Sequence, residues 1–202
     1  MSQITDLAKL LELLRDANAP RRLVVIDGLG GAGKSTLARS LAQRIEGSIV
    51  VEIDHFHLPA AEAARVVQTE FGDLLDLQRL EAEVITPFRE GADSIAYHRY
   101  NWGYLCGEDD RVDPTPHVVP TGPLLIVEGC GSFRIRTHPT DTRIWADAAA
   151  ELCLERGMRR DIEEYGLDPD DVSSLWRDWT KREETRSAKY GIDSADVIFE
   201  TG

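Results

Sequence analysis

The chain has few cysteines and lacks a long apolar run. Its three cysteines, Cys106, Cys130 and Cys153, lie far apart in the 202 residues and match no zinc-binding spacing. We therefore expect reduced thiols rather than a disulfide framework or a zinc site. No apolar stretch approaches the roughly 20 residues of a membrane-spanning helix, and the sequence has no recognisable secretory signal. These absences predict a cytoplasmic protein without a membrane partner.

Positive charge is also scarce. The chain carries 23 Lys and Arg against 36 Asp and Glu, a formal net charge of −13. This acidic balance disfavours a nucleic acid polymer as partner, because a phosphate backbone requires a basic surface. Arginine supplies nearly all of the basic residues, and its planar guanidinium suits bidentate phosphate contacts. The length fits a single domain over residues 1–202, and we expect its partner to be a small-molecule acceptor.

A glycine-rich motif follows an apolar run at residues 23–26. Residues 28–35 read Gly-Leu-Gly-Gly-Ala-Gly-Lys-Ser, which matches the phosphate-binding pattern G-x-x-x-x-G-K-[ST]. Between a strand and a helix, such a loop brings backbone amides and a helix N-terminus close to phosphates. We therefore expect ATP and Mg²⁺ as cofactors. The residues predicted to bind them are Gly28, Gly30, Gly31, Ala32, Gly33, Lys34, Ser35 and Thr36.

Two side chains of this motif have chemical roles that a plain turn would not need. We expect Lys34 to reach the β- and γ-phosphates and to act in catalysis. Ser35 would offer its hydroxyl to Mg²⁺, and Thr36 would add a donor near the α-phosphate. A glycine-rich turn that merely starts a helix would require neither Lys34 nor Ser35.

Apolar runs alternate with helical patterns along the chain, which predicts an α/β fold. The predicted architecture is the three-layer sandwich of P-loop NTPases. It has a mostly parallel five-stranded sheet, helices on both faces and a short helical lid at about 154–168. Residues 1–20 would hold an N-terminal helix that packs on the domain or serves a homodimer, and about 55–122 would form an acceptor-binding excursion. The strands are predicted at 23–26, 49–53, 124–127, 144–146 and 197–199.

Acidic side chains follow two of these predicted strands. Asp54 directly follows residues 49–53, and Glu128 directly follows residues 124–127. Since parallel strands end at one edge of a sheet, we expect both to lie beside the glycine loop. Asp54 would orient or deprotonate an acceptor hydroxyl near Mg²⁺, unless it caps the next helix. Glu128 would be a carboxylate of the magnesium site or would accept hydrogen bonds from loop amides, and Asp27 could have either role.

Three arginines share one side of a predicted helix at 149–164. Arg156, Arg159 and Arg160 lie at positions i, i+3 and i+4. Facing the crevice they would hold the γ-phosphoryl group in the transition state, whereas facing solvent they would pair with neighbouring glutamates. On the next predicted helix, Trp176 and Trp179 are expected in the core.

A segment rich in aromatic rings and hydrogen-bond donors covers residues 97–102. Tyr97, His98, Arg99 and Tyr100 suit contacts with a planar base or a sugar, although the same composition also fits a packed loop. His57 would be a substrate contact or a packed imidazole, because two histidines two residues apart are weak support for a metal site.

Together these pieces resemble the uridine kinase family of P-loop kinases over most of residues 22–199. The resemblance is carried by GLGGAGKST at 28–36, Asp-His-Phe at 54–56, the aromatic segment at 97–102, Ile-Val-Glu-Gly at 126–129, Arg-Gly-Met-Arg-Arg-Asp at 156–161 and Ala-Asp-Val-Ile at 195–198. The glycine loop is specific to the superfamily. The other pieces are short but occur in the order of the family.

The resemblance implies a role for each matched residue. Asp54 would be the catalytic carboxylate, and Glu128 would be a carboxylate of the magnesium site. Arg156 and Arg160 would act in catalysis and Arg159 would contact ATP, all three from a lid. The acceptor would lie near Tyr97, His98, Arg99 and Tyr100. The base-recognition loop of uridine kinases is not reproduced in YHRYNWGYLCG, so the implied acceptor is a uridine- or cytidine-like nucleoside or a related small metabolite.

Two other functions fit parts of the pattern. A nucleoside monophosphate kinase of the cytidylate type would need arginines for the acceptor phosphate. A nucleotide-dependent ATPase or switch would need no small acceptor, but the chain has neither an Asn-Lys-x-Asp guanine motif nor a Leu-Ser-Gly-Gly transporter signature. The candidates for the monophosphate contact are Arg65, Arg79, Arg89 and Arg99.

Overall fold

A six-stranded parallel sheet forms the centre of the molecule. The computed structural model describes residues 2–15, 21–63, 75–103 and 108–202. The strands are β1 (Ser2–Ile4), β2 (Arg22–Asp27), β3 (Ser48–Glu52), β4 (Ser94–Tyr97), β5 (His117–Pro120), β6 (Leu124–Glu128), β7 (Thr142–Asp147) and β8 (Val197–Glu200). The central sheet has the order β1–β8–β7–β2–β6–β3, and β4 and β5 form a separate antiparallel pair.

The predicted α/β sandwich is confirmed, with one strand more than the five expected. The additional strand is β1, which pairs with β8 at the edge of the sheet. Its three residues bury a single side chain, Ile4, and so leave no periodic signal in the sequence. Every pairing within this sheet is parallel, and the antiparallel pair lies outside it.

Helices cover both faces of the sheet. They are α1 (Leu7–Arg15), α2 (Lys34–Ala42), α3 (Ala60–Ala63), α4 (Leu77–Leu80), α5 (Thr86–Glu90), α6 (Ala150–Glu163) and α7 (Pro169–Tyr190). Alternate residues of β2 enter two separate cores: Leu23 and Val25 pack on one side, Val24 and Ile26 on the other. The strand is therefore buried throughout, as a parallel strand between two helical layers must be.

The N-terminal helix packs on the domain. Leu10, Leu11 and Leu14 of α1 are buried in one of the two cores, and the Arg22 guanidinium donates to the carbonyl oxygen of Leu14. The apolar stripe that also suited a dimer contact is thus covered within the chain.

Between β3 and β6, the described residues lie outside the central sheet. Helices α4 and α5 are joined by a π-helical stretch, Glu81–Ile85, into one continuous segment. The β4–β5 hairpin follows it. Arg65 and Cys106, named above, lie outside the described residues. None of the described helices is both long enough and apolar enough to span a membrane.

Candidate active site

The three predicted motifs lie along one edge of the sheet. Strands β3, β6 and β2 are neighbours, and their register aligns both Ile26 and Glu52 with Glu128. The glycine loop leaves β2 beyond this line, and Asp54 follows β3 in a short 3₁₀ helix, Ile53–Phe56. Parallel pairing therefore brings the loop, Glu128 and Asp54 to the same crevice, as expected from strand direction.

The loop has the backbone that a phosphate-binding turn needs. Gly31 and Gly33 adopt φ angles of 82° and 83°, in the left-handed region that favours glycine. A Cβ atom on Gly31 would also lie 2.0 Å from the carbonyl oxygen of Cys153. Helix α2 begins at Lys34 directly after the loop, so its free N–H groups and positive dipole end face the turn.

Lys34 is buried and folds back on its own loop. Its Nζ donates to the carbonyl oxygens of Gly28 at 3.0 Å and Leu29 at 2.7 Å, and it lies 3.1 Å from Cys130 Sγ. Burial raises the pKa of Cys130 to about 12, so this thiol is protonated at neutral pH. The ammonium is therefore positioned at the base of the loop by neutral acceptors.

Glu128 interacts with the predicted magnesium ligand Ser35. The Glu128 side chain is 3% exposed. Burial raises its pKa to about 7; Lys34 and a hydrogen bond from Ser35 lower it, whereas Asp54 and Glu52 raise it. Glu128 therefore lies within electrostatic reach of the lysine, the serine hydroxyl and two further carboxylates.

These residues fit a magnesium ion shared with a phosphate. Mg²⁺ is commonly bound by one or two carboxylates together with substrate phosphates and waters, rather than by a protein-only cage. Within the described ranges no group of three or more His, Cys, Asp or Glu residues could hold a metal by itself. Ser35 and Glu128 could supply the protein ligands, with Asp54 nearby.

Asp27 has a structural position. Its carboxylate accepts the backbone N–H groups of Gly28, Gly131 and Phe133 at 2.8, 3.1 and 2.9 Å. It thereby ties the start of the glycine loop to the segment after β6. From the sequence, Asp27 could be a carboxylate of the magnesium site or an acceptor for loop amides. In the structure it accepts hydrogen bonds from loop amides.

Asp54 is exposed at the crevice. Burial is the main cause of the raised pKa of Glu128, and Asp161 outweighs burial to raise the pKa of Arg160; the charge of Asp54 adds a smaller increase to both. The short helix that contains it begins after Glu52 without a side-chain cap. Asp54 therefore does not cap this helix, and in the described chain its carboxylate makes no hydrogen bond.

The three arginines of α6 point in different directions. Arg160 donates to Asp161 at 2.7 and 2.9 Å and is close enough to Asp54 to interact electrostatically. Arg159 pairs with Glu155 at 3.6 Å on an exposed surface. Arg156 is partly buried. The structure thus brings Arg160 toward the crevice and leaves Arg159 on the solvent side.

The aromatic segment divides between core and crevice. Tyr97 is 1% exposed, its ring stacks on Phe56 with centroids 5.6 Å apart, and its hydroxyl accepts from Arg99 at 3.3 Å. His98 pairs with Glu83 at 2.9 Å, and the Tyr100 hydroxyl donates to Asp110 at 2.8 Å. Core packing therefore leaves Tyr97 almost no exposed surface for the expected contact with the acceptor.

Other rings lie directly beside Asp54. The Trp102 indole donates to the backbone carbonyl of Asp54 at 3.1 Å, and its ring is 4.9 Å from those of His57 and Tyr100. Burial, with Arg99 as the next cause, lowers the pKa of His55 to about 4. The imidazole next to Asp54 is therefore neutral at physiological pH.

Helix α7 contributes residues that the sequence analysis did not assign to the site. Trp176 is buried, as expected, and Trp179 is partly buried, and both also contact the glycine loop at Gly30. Glu183 accepts the N–H of Gly30 at 2.7 Å and, with Arg186, is buried. A stripe at i, i+3, i+7 and i+10 joins these four residues of α7, and this stripe is the signal that could have identified them.

Comparison with known proteins agrees with the motifs. The sequence profile of the Phosphoribulokinase / Uridine kinase family matches residues 23–202. A uridine kinase from Chloroflexus aggregans is 26% identical over 187 residues, which cover 89% of this chain and 87% of that protein.

Two solved structures share the fold. A candidate fructose transport system kinase from Silicibacter sp. TM1040 has a TM-score of 0.74 at 20% identity and covers 96% of this chain and 99% of its own. A candidate uridine kinase from Bacillus stearothermophilus has a TM-score of 0.66 at 18% identity, with 96% of both chains covered. The resemblance inferred from the motifs is confirmed: the chain belongs to the phosphoribulokinase/uridine kinase family of P-loop phosphotransferases, which act on small-molecule alcohols.

Proposed function

We propose that the protein transfers the γ-phosphoryl group of ATP to a hydroxyl group of a uridine- or cytidine-like nucleoside or a related small metabolite. The proposal rests on one juxtaposition: the parallel pairing of β3, β6 and β2 brings Asp54, Glu128 and the glycine loop to the same edge of the sheet. A carboxylate beside a phosphate-binding loop can orient an attacking hydroxyl for phosphoryl transfer.

On the donor side, the glycine loop and the start of α2 would bind the triphosphate. Backbone amides and the Lys34 ammonium replace its hydration, because phosphate oxygens accept several hydrogen bonds at once. Mg²⁺, when bound through Ser35 and Glu128, would neutralise phosphate charge. Arg160 would stabilise the charge that develops on the transferred group.

On the acceptor side, Asp54 would align the attacking hydroxyl. As the acceptor oxygen bonds to the γ-phosphorus, the bond from that phosphorus to the β-bridging oxygen breaks, ADP leaves, and Asp54 accepts the hydroxyl proton. Asp54 suits this role since its carboxylate makes no hydrogen bond within the described chain.

The neighbouring rings favour an acceptor with a planar or sugar-like face. His57, Tyr100 and Trp102 form an aromatic cluster beside Asp54, and aromatic faces bind both bases and sugar rings. The names of the relatives support the same range of acceptors, since they include a uridine kinase and a candidate fructose transport system kinase.

Two of the four arginines considered for an acceptor phosphate are engaged in other contacts. Arg79 donates to the backbone carbonyls of His55, His57 and His98. Arg89 pairs with Asp141 at 2.8 Å, far from the crevice at the amino end of β2. A monophosphate acceptor is therefore less favoured than an uncharged hydroxyl compound.

An ADP-release assay with a panel of acceptors tests the proposal. The panel contains nucleosides, nucleoside monophosphates and sugars at matched concentrations, each with the wild type and with Asp54→Asn. We expect stimulation by one or more uncharged acceptors and its loss in the variant. Stimulation by monophosphates alone would favour the cytidylate-type alternative, and stimulation by none would favour an ATPase or switch.

A further inference from the structure

Helix α7 lies across the outer side of the glycine loop. A Cβ atom on Gly30 would be 3.0 Å from Trp176 Cη2 and 3.1 Å from Trp179 Nε1. One helical turn beyond Trp179, Glu183 Oε1 accepts the Gly30 N–H at 2.7 Å. The loop is therefore packed against two indole rings and hydrogen-bonded to one carboxylate of the same helix.

The carboxylate of Glu183 is the centre of a buried polar network. Glu183 and Arg186 are each 5% exposed, and Arg186 Nη2 is 3.5 Å from Glu183 Oε1. Cys130 Sγ donates to the same oxygen at 3.3 Å and lies 3.1 Å from Lys34 Nζ. A continuous chain of polar contacts thus connects α7 to the catalytic lysine.

Burying a polar network of this kind costs free energy, which indicates that the network has a function. A buried carboxylate must be paired and hydrogen-bonded to remain charged. The exposed face of α7 could have carried Glu183 without that cost, whereas only the buried face reaches the loop. The loop itself is rich in glycine, and fixing its backbone opposes a large conformational entropy.

We propose that Glu183 is a positioning residue for the ATP site. Its carboxylate fixes the Gly30 amide and, through Cys130, the Lys34 ammonium, so that the glycine loop is already in its binding conformation before ATP arrives. The inference rests on the proposed function, because it treats the loop as the donor site. It also connects the donor site to α7, the helix that packs against the lid helix α6 through Trp176 and Gly157.

The contacts disfavour a blocking role for the same carboxylate. A carboxylate that replaced a phosphate would bind several loop amides and the lysine. Within the described chain, Gly30 provides the one loop amide that donates to Glu183, and Lys34 Nζ contacts Gly28, Leu29 and Cys130 instead. Glu183 therefore holds the loop from outside its cradle.

Binding of MgATP by titration calorimetry tests the inference. We expect Glu183→Ala to weaken MgATP binding about ten- to hundredfold, the value of a lost hydrogen bond to a charged group. Glu183→Gln keeps an acceptor for the Gly30 N–H and should recover most of the affinity. Glu184 is the next residue and its side chain is exposed. Glu184→Gln is therefore the matched control and should bind MgATP like the wild type.

Hydrogen exchange of the ATP-free protein provides an independent readout. Glu183→Ala should accelerate amide exchange at residues 28–33, with Glu183→Gln in between and an unchanged far-UV spectrum. Unchanged exchange and affinity in Glu183→Ala would overturn the inference, and tighter MgATP binding would overturn it in favour of a blocking carboxylate. If the wild type bound no MgATP, the proposed function would fail, and the exchange data would still decide whether Glu183 orders the loop.

Discussion

At the scale of single residues, Lys34 is the group on which the donor site depends most. Its ammonium is buried and held by two loop carbonyls, so it is placed before ATP binds. We expect Lys34→Ala to lower turnover at least 10²- to 10³-fold, the usual loss when one donor to a developing anionic charge is removed. It should also weaken ATP binding. Steady-state ADP release and calorimetry measure the two effects.

The matched control for this change is Lys9→Ala on the exposed side of α1. It removes the same charge far from the loop and should leave turnover unchanged. Retained ATP affinity in Lys34→Ala, with a native far-UV spectrum, would remove the loop lysine from the proposed donor site.

Asp54 is the residue whose effect should fall on rate rather than on ATP affinity. Asp54→Asn keeps the shape of the side chain but removes its capacity to accept a proton. We expect kcat to fall about 10²- to 10⁴-fold, with little change in the Kd of ATP, because Asp54 faces the acceptor. Single-turnover kinetics separates the two quantities. Asp109→Asn, the same change at an exposed carboxylate between β4 and β5, should behave as wild type; nearly full turnover in Asp54→Asn would contradict the catalytic assignment.

Residue positions were predictable where the signal is local. Lys34, Ser35, Asp54 and Glu128 lie along one edge of the sheet because each stands at a fixed place relative to a strand or to the glycine pattern, and their roles in the reaction stay predictions. The contact of Glu183 with Gly30 spans 153 residues of sequence, and no spacing rule encodes such a distance. Tyr97 shows the opposite difficulty: a tyrosine near the site by sequence is largely committed to the core.

At the scale of elements, the packing of α6 on α7 determines where the arginines of α6 can lie. Gly157 of α6 faces Trp176, whose indole Nε1 donates to Asp161 at 2.7 Å. A Cβ atom on Gly157 would lie 2.0 Å from Trp176 Cη2. The two helices therefore approach as closely as they do because residue 157 is a glycine.

Gly157→Ala should destabilise the protein despite the better helix propensity of alanine. Propensity favours alanine by about 1 kcal/mol, whereas overpacking of a buried contact costs about 1–3 kcal/mol. The displaced indole would also lose its position against Gly30, so we expect a lower Tm and weaker ATP binding together. Differential scanning calorimetry and tryptophan fluorescence measure these effects.

Ser174→Ala on the exposed side of α7 serves as its control, since it alters the helix against which Gly157 packs without changing the contact. The pair Gly157→Ala and Trp176→Phe, which gives room for the new methyl group, should recover part of the loss. A Gly157→Ala protein as stable as the wild type would show that the helices can separate without consequence.

Hydrophobic periodicity located these helices but not their partners. Trp176 and Trp179 predict one buried face of α7, and on that face the structure buries Val172 and Trp176. The period alone cannot distinguish a face that covers the core from one that covers a ligand loop, and so both tryptophans were assigned to the core. The hairpin of β4 and β5 was seen only as an excursion, because the prolines around β5 hide a strand pattern.

At the scale of the whole molecule, strand order creates the active site. The sequence predicts which strands exist and that their carboxyl ends share an edge, but the order β3–β6–β2 comes from the crossovers. That order makes Glu128 the neighbour of both the loop and Asp54. Residues separated by about a hundred positions therefore meet because of topology. The sequence predicted that they lie along the same edge of the sheet, but not which of them contact one another.

Filling the proposed donor site should stabilise the entire fold, because its residues come from the ends of β2 and β6 and from helices α2 and α6. A ligand that binds only the folded state at 100 times its Kd adds about 2.7 kcal/mol, which for a domain of this size corresponds to an increase in Tm of about 5–10 °C. We expect this increase with MgATP and a much smaller one with ATP and EDTA, because Ser35 and Glu128 contribute to ATP binding mainly through the ion. Lys34→Ala should show neither increase, and Lys9→Ala should show both. A melting temperature that is unaffected by MgATP, or equally raised with EDTA present, would contradict either the donor site or its magnesium.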